Sequence, residues 1–186
     1  TVVTARHDGG VFSRSEILDA LTGQIRAFEG IGGYKSINWN YLPSAGASIA
    51  HPHLQGLADR RAPALAEHYL NRSARYLARN GRSYWDDLAD HEGNSPRFLF
   101  ENELFWYAHH VPLGEREVRC ILPLSTCEEF SSFAGQFADG LLRILSFYRD
   151  LGTYAFNMAL FFDKNKNRNG FSSFCSIISR INPNVT

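Results

Sequence analysis

The chain has 186 residues, 44% of them hydrophobic and 13% aromatic, which excludes a disordered protein and suits one good-sized domain or two small ones. Nineteen basic residues balance nineteen acidic ones, so we expect no broad nucleic-acid footprint and no anionic-membrane surface, although one local anion pocket stays open. No apolar run reaches the roughly 18 residues of a membrane span, so none is expected. Cys120, Cys127 and Cys175 are odd in number and have no CxxC spacing. They predict a reducing compartment, and we expect a cytoplasmic protein.

The first elements are a strand, a capped helix and two further strands. "TVVTA" is β-branched and strand-like, and "SRSE" at 13–16 has the capping-box pattern before apolar residues at helical spacing. "YKSINWNY" predicts the second strand and "ASIAHPHLQGLA" the third, whose proline implies an edge or an irregularity. Residues 63–79 predict a helix that Pro63 opens and Asn80-Gly81 closes. The chain begins without Met, and we expect it to be the interior of a longer protein.

The same order then repeats after a polar connector. "RSYWDDLADHEGNSPR" is that connector, and "FLFENELFWYAHHVP" and "EVRCILPL" are strand-like. "TCEE" at 126–129 is a second capping-box pattern before a helical stripe, and "TYAFNMALFF" and "FSSFCSIISRI" predict the last strands. We therefore predict an α+β fold of two tandem halves, with antiparallel sheets and packed helices. The halves are residues 1–80 and 98–186, and residues 81–97 connect them.

An alignment of the halves leaves the polar residues in the first half. With Asn38 set against Asn157 and Gly46 against Gly170, His51 lies opposite Cys175 and His53 opposite Ile177. The second half has thus lost the polar set, and we predict that only the first half is catalytic.

The most informative stretch is "GASIAHPHLQG" at 46–56. On a regular strand His51, His53 and Gln55 project from one face, because side chains alternate. An imidazole can act as a nucleophile or base near pH 7, and an amide can donate to an oxyanion without adding charge. The small residues before the box suit close approach of a phosphate to backbone N–H groups, and Ser48 offers a hydroxyl. A lone histidine on a strand is more often a structural residue. Spacing alone cannot decide whether these histidines are metal ligands, a nucleophile and its helper, or structural residues.

"HDGGVFSRSEI", "NWNYLPSAGASIAHPHLQ" and "LFWYAHHVPLGEREVRCILP" together resemble the galactose-1-phosphate uridylyltransferase family, the transferase branch of the histidine-triad superfamily. The later segments and the connector look closest to bacterial transferase-like members. The resemblance covers nearly the whole chain and implies two histidine-triad-like halves. It departs from the best-known members at Leu54, where they have glycine.

The resemblance also implies residue roles. His53 matches the nucleophile, and Gln55 matches the residue that hydrogen-bonds the phosphoryl oxygens. Ser48 and Asn40 match phosphate-side and nucleophile-orienting positions, beside the small residues Gly46 and Ala47.

A structural zinc ion is implied for some members of the family. His51 and His7 match zinc ligands, and the other ligands, a CxxC pair, would lie upstream of this chain. The last strand lacks the histidines of a second metal, so none is expected there. His109 and His110, as neighbours on a strand, face opposite sides, and we interpret them as structural.

The implied activity is nucleotidyl transfer from a nucleoside diphosphate sugar to a hexose 1-phosphate through a covalent nucleotidyl-histidine. A nucleotide-sugar or dinucleoside-polyphosphate phosphorylase or hydrolase would use the same histidine with another acceptor. A non-catalytic nucleotide-binding module is the alternative of another class. The expected partners are a nucleotide sugar and a sugar phosphate, and the family implies a homodimer.

Overall fold

A computed structural model describes residues 1–3, 12–49, 51–166 and 169–180. Its helices and strands alternate along the chain. They are β1 (Val2–Val3), α1 (Arg14–Ala27), β2 (Tyr34–Tyr41), β3 (His53–Asp59), α2 (Ala64–Asn80), α3 (Tyr84–Gly93), β4 (Phe98–Glu101), β5 (Phe105–Ala108), β6 (Val118–Ile121), α4 (Ala134–Asp150), β7 (Ala155–Phe162) and β8 (Phe174–Arg180). Short 3-10 turns cover Pro43–Ala45 and Glu129–Ser132. No helix in the described ranges is both long and apolar enough to cross a membrane.

The strands form one eight-stranded sheet in the order β1-β3-β2-β7-β8-β6-β5-β4. Every ladder between these strands is antiparallel, which confirms the α+β prediction. The predicted halves meet at the central ladder of β2 and β7, where Asn38 pairs with Ala159 and Trp39 with Met158. A continuous ladder at this position means that the two halves share one sheet.

The strand registers correct the sequence alignment by one residue in the last strand. A two-fold rotation through the Trp39–Met158 pair carries Asn38 onto Asn157, as the alignment proposed. The β2–β3 and β7–β8 registers then carry His53 onto Ser176, not onto Ile177. A slip of one residue turns every side chain to the other face of the sheet. The counterpart of the histidine is therefore a polar residue on the same face.

The two faces of the sheet carry different helices. Helices α1 and α4 cover one face, whose core includes Leu21, Trp39, Leu141 and Met158, all at most 2% exposed. Helices α2 and α3 cover only part of the other face, where Trp85 packs with Tyr69 and Phe174. That second layer lies over strands of the second half, so part of the same face on β3, β2 and β7 stays half-buried. The candidate site lies there.

The structure confirms two of the three helix starts predicted from local sequence patterns and changes the third. The first capping box is confirmed, because Ser13 caps α1 and Glu16 bonds back to the Ser13 backbone. Helix α2 begins at Ala64 after Pro63 and ends before Gly81 as predicted. The second capping pattern precedes a 3-10 turn, in which Glu129 accepts bonds from the Thr126 backbone and hydroxyl. Helix α4 begins later, at Ala134.

The polar connector is largely a helix. Ser83 caps α3, and the buried Trp85 donates a 2.9 Å hydrogen bond from Nε1 to Ser73 on α2. The charged composition of 82–97 hid this helix, because only one narrow stripe of it is buried.

Candidate active site

His53 begins β3 and is only 5% exposed. Its Nδ1 lies 2.9 Å from the carbonyl oxygen of His51. A carbonyl can only accept, so the proton of the neutral imidazole resides on Nδ1 and the lone pair on Nε2. The backbone thereby holds the ring in one tautomer, with Nε2 available as a nucleophile or base.

His51 does not lie on the strand, which corrects the prediction that it shares a face with His53. Strand β3 starts only at His53, and Pro52 before it has no N–H to donate to a ladder. The same-face rule therefore holds for His53 and Gln55 but not for His51. What His51 contributes in the described geometry is its carbonyl oxygen.

Gln55 and Asn38 extend the polar surface from His53 along the β2–β3 ladder. They are direct partners in the register, and the Asn38 amide donates to Ser36 at 3.1 Å. Both Gln55 and Asn38 are half-buried, so their amides stay accessible. Extending the same register by two residues places Asn40 beside His53. Asn38 is not among the site residues that the sequence predicted.

Asn157 on β7 joins two parts of the site by hydrogen bonds, and it too is not among the site residues that the sequence predicted. Its Nδ2 donates to the Asn40 side-chain oxygen at 2.6 Å and to the Ala45 carbonyl at 2.7 Å. The Asn157 oxygen accepts from Arg180 Nε on β8. The second half thus anchors both a strand residue and the loop of the first half. The only sequence signal was the single asparagine in the otherwise apolar strand AFNMALFF.

The small-residue loop follows β2 directly. Leu42 and Gly46 have φ values of 70° and 81°, a left-handed region that favours glycine. The Ala47 N–H donates to the Leu42 carbonyl at 3.2 Å, which closes the loop on itself. Gly46 and Ser48 are exposed and Ala47 is half-buried, so the predicted phosphate-side residues lie at the surface. The loop contacts the polar face through Ala45, whose carbonyl accepts from Asn157 on β7.

The corresponding region of the second half is filled by a buried ion pair. Arg119 Nε donates to Glu117 at 2.7 Å, and Ser176, the counterpart of His53, donates to the same Glu117 oxygen at 2.6 Å. Tyr69 of α2 accepts from Arg119 at 3.0 Å. Burial would raise the pKa of Glu117, but bonds from Ser176, the Leu113 N–H and Arg119 hold it below its usual value. Glu117, Arg119 and Ser176 are all buried, so this region of the second half is closed to solvent.

His109 belongs to that packed region, as the structural interpretation expected. Burial, helped by the positive charge of Arg119, lowers its pKa to about 4. His110 is more exposed, and the two rings meet edge to face at 4.7 Å. His109 is therefore neutral at physiological pH and takes no part in the site around His53.

The described residues supply little of the implied zinc site. His7 lies outside the described ranges, and no group of three His, Cys, Asp or Glu side chains within those ranges could hold a metal ion. All three cysteines are buried free thiols. His51 alone does not make up a tetrahedral donor set, so no step of the chemistry below uses a metal.

Comparison with solved structures identifies the class of fold to which this sheet belongs. A uridylyltransferase superposes with a TM-score of 0.84 at 18% identity, covering 98% of this chain and 62% of that one. An ADP-glucose phosphorylase from Arabidopsis thaliana with bound ADP-glucose superposes at 0.80 and 16% identity, covering 97% and 61%. A GalT-like protein of the same plant superposes at 0.78 and 18% identity, covering 94% and 63%. The chain therefore has the uridylyltransferase fold, which confirms the resemblance at the level of the fold.

Sequence comparison adds a further relative. An uncharacterized protein of Archaeoglobus fulgidus is 28% identical over 137 residues, which are 69% of this chain and 39% of that protein. No protein-family profile matches the sequence. The chain thus spans less than two thirds of the length of these relatives.

Proposed function

We propose that the complete protein is an enzyme that transfers a nucleoside monophosphate from a nucleoside diphosphate sugar, using His53 as the nucleophile. The observation that carries this proposal is the Nδ1 bond to the His51 carbonyl, because in the neutral imidazole it places the lone pair on Nε2. The resemblance at HPHLQ and the fold shared with a uridylyltransferase and an ADP-glucose phosphorylase support it.

In the first step the Nε2 lone pair forms a bond to the α-phosphorus. The bond from that phosphorus to the bridging oxygen breaks, and its electron pair leaves with sugar 1-phosphate. The ring then carries a positive charge shared between its nitrogens, and the His51 carbonyl opposite Nδ1–H stabilises it. The amide of Gln55, on the same face, can donate to a phosphoryl oxygen.

In the second step an oxygen of the acceptor attacks the same phosphorus. The P–N bond breaks and returns its electron pair to Nε2. A hexose 1-phosphate as acceptor gives a ping-pong uridylyltransferase-like reaction. Inorganic phosphate gives a phosphorylase, which the likeness to the ADP-glucose phosphorylase favours as the second candidate, and water gives a hydrolase.

Three further proposals concern the complete protein. A structural zinc bound by His7, His51 and upstream cysteines would brace the residues that precede β3. We also propose a homodimer, on the resemblance alone. A cytoplasmic location fits three reduced cysteines.

The test uses the full-length protein with α-labelled UDP-glucose and ADP-glucose. We expect an acid-labile, alkali-stable label on the wild type and none on His53→Ala. His91→Ala is the control, because His91 is exposed on the last turn of α3 and contributes nothing to the site. Label that is absent from the wild type with both donors, or that survives in His53→Ala, would overturn the mechanism. Absence of label from the wild type would favour a non-catalytic nucleotide-binding module. Where the label is retained, its release by hexose 1-phosphate, phosphate or water identifies the acceptor.

A further inference from the structure

A cavity of about 660 Å³ is lined by residues of α2 and the start of α3, and it shares no residue with the site around His53. Its lining combines four basic or potentially basic side chains with three tyrosines. It consists of His68, Tyr69, Arg72, Arg75, Tyr76, Arg79, Asn80 and Tyr84. None of these residues belongs to β2, β3 or the loop at 42–49, and its volume is that of a small-molecule site.

The arginines of this cavity are held together by helical spacing. Arg72, Arg75 and Arg79 follow one another at three and four residues, so they lie along one face of α2. Seven residues of helix span about 10 Å, which is comparable to a chain of two or three phosphates. All three side chains are exposed, and their guanidinium groups can reach a ligand without losing an internal contact.

No carboxylate within the described ranges neutralises these three arginines. Some other surface arginines are paired, such as Arg14 with Asp139 and Arg97 with Glu92. The nearby α3 carboxylate of Asp87 already accepts from the Tyr76 hydroxyl, and the lining itself includes no acidic residue. Like charges at this spacing destabilise a helix, so the row of three needs a compensating reason. The chain as a whole is neutral, so this is a local concentration of positive charge.

Tyrosines form the remaining wall. Tyr84 contacts both Tyr69 and Tyr76, and it meets Tyr76 edge to face at 5.6 Å. Tyr84 is anchored beside the buried Trp85, and Tyr69 is bonded to Arg119. Rigid aromatic rings next to guanidinium groups can stack on a heterocyclic base.

From the unpaired arginine row and the tyrosine wall, we propose that this cavity is a second binding site for a nucleoside polyphosphate. The arginines bind the phosphates through charge-assisted hydrogen bonds, and the tyrosines contact the base. The site does not depend on the proposed chemistry of His53, since it shares no residue with it.

The experiment titrates ATP and inorganic tripolyphosphate into the full-length protein and locates binding by hydrogen–deuterium exchange. We expect protection of α2 and α3 in the wild type. The variant Arg72→Gln/Arg75→Gln/Arg79→Gln loses at least about tenfold in affinity for both ligands at this site. Arg26→Gln, which changes an exposed arginine on α1, is the matched control and binds as the wild type does.

The base is tested by comparing the two ligands. ATP is expected to bind more tightly than tripolyphosphate, and Tyr84→Leu removes that advantage. Protection confined to residues 42–59 in the wild type, or unchanged affinity at α2 in the triple variant, would overturn the site. Equal affinity for ATP and tripolyphosphate would overturn the nucleoside assignment. Labelling of His53 is measured in the same variants and stays unchanged, so failure of this site and failure of the proposed mechanism are told apart.

Discussion

The buried pair of Glu117 and Arg119 allows a quantitative prediction. Their side chains are 0% and 1% exposed, so Glu117→Gln leaves a guanidinium in the interior without its counter-charge. Removing one partner of such a pair costs about 3–5 kcal/mol of unfolding free energy. For a chain of this size each kcal/mol lowers the melting temperature by about 2–4 °C, so we expect a loss of about 6–20 °C.

The measurement is urea and thermal denaturation at pH 7, with two companion variants. Asp139→Asn breaks the half-exposed pair with Arg14 and should cost far less, because solvent screens that pair. Glu117→Gln/Arg119→Met removes both charges and should cost less than Glu117→Gln alone. If Glu117→Gln costs no more than Asp139→Asn, the reasoning about this pair is wrong.

The same pair gives the wild type a pH dependence in acid. The pKa of Glu117 is lowered in the folded protein, so its contribution is complete above the unfolded pKa of about 4.3. It is lost as the pH falls through the folded pKa. In Glu117→Gln this part of the acid destabilisation is absent.

Three other predictions test the core, the buried histidine and the site. Gly140→Ala places a Cβ 2.3 Å from Cζ2 of the buried Trp106, and we expect a loss of about 1–3 kcal/mol in urea denaturation, where a gain would contradict the packing. The pKa of His109 is lowered to about 4, so its contribution to stability is complete above about pH 6.5 and is lost between there and pH 4; an NMR titration midpoint above 6 would refute this. Asn157→Ala removes the bonds to Asn40 and to the Ala45 carbonyl, and the rate of His53 labelling should fall about tenfold or more; an unchanged rate would remove Asn157 from the site.

The asymmetry of the halves has a physical basis in the second helical layer. Helices α2 and α3 cover the strands around Arg119 and Ser176 with aromatic side chains. The matching face around His53 and Gln55 has no such cover within the described residues, and its amides stay half-exposed. The first half therefore keeps an accessible polar face beside His53, and the second half does not.

The sequence alone determined the features that depend on near neighbours in the chain. Ser13 and Glu16 cap α1, and Pro63 and Gly81 mark the ends of α2. His53 and Gln55 share a face of β3 because side chains alternate along a strand. Each of these features depends only on residues close together in the chain. The HPHLQ box also indicated the fold, which the solved structures confirm.

Tertiary structure decided what depends on distant residues. The tautomer of His53 follows from where β3 begins, and the sequence pattern extended that strand too far toward its N-terminus. Asn157 reaches Asn40 only because β2 and β7 are neighbours in the sheet, 117 residues apart in the chain. The register of β8, and with it Ser176 as the counterpart of His53, is fixed by ladder hydrogen bonds to β7. Pairing across a sheet is set by long-range packing, which no local periodicity encodes.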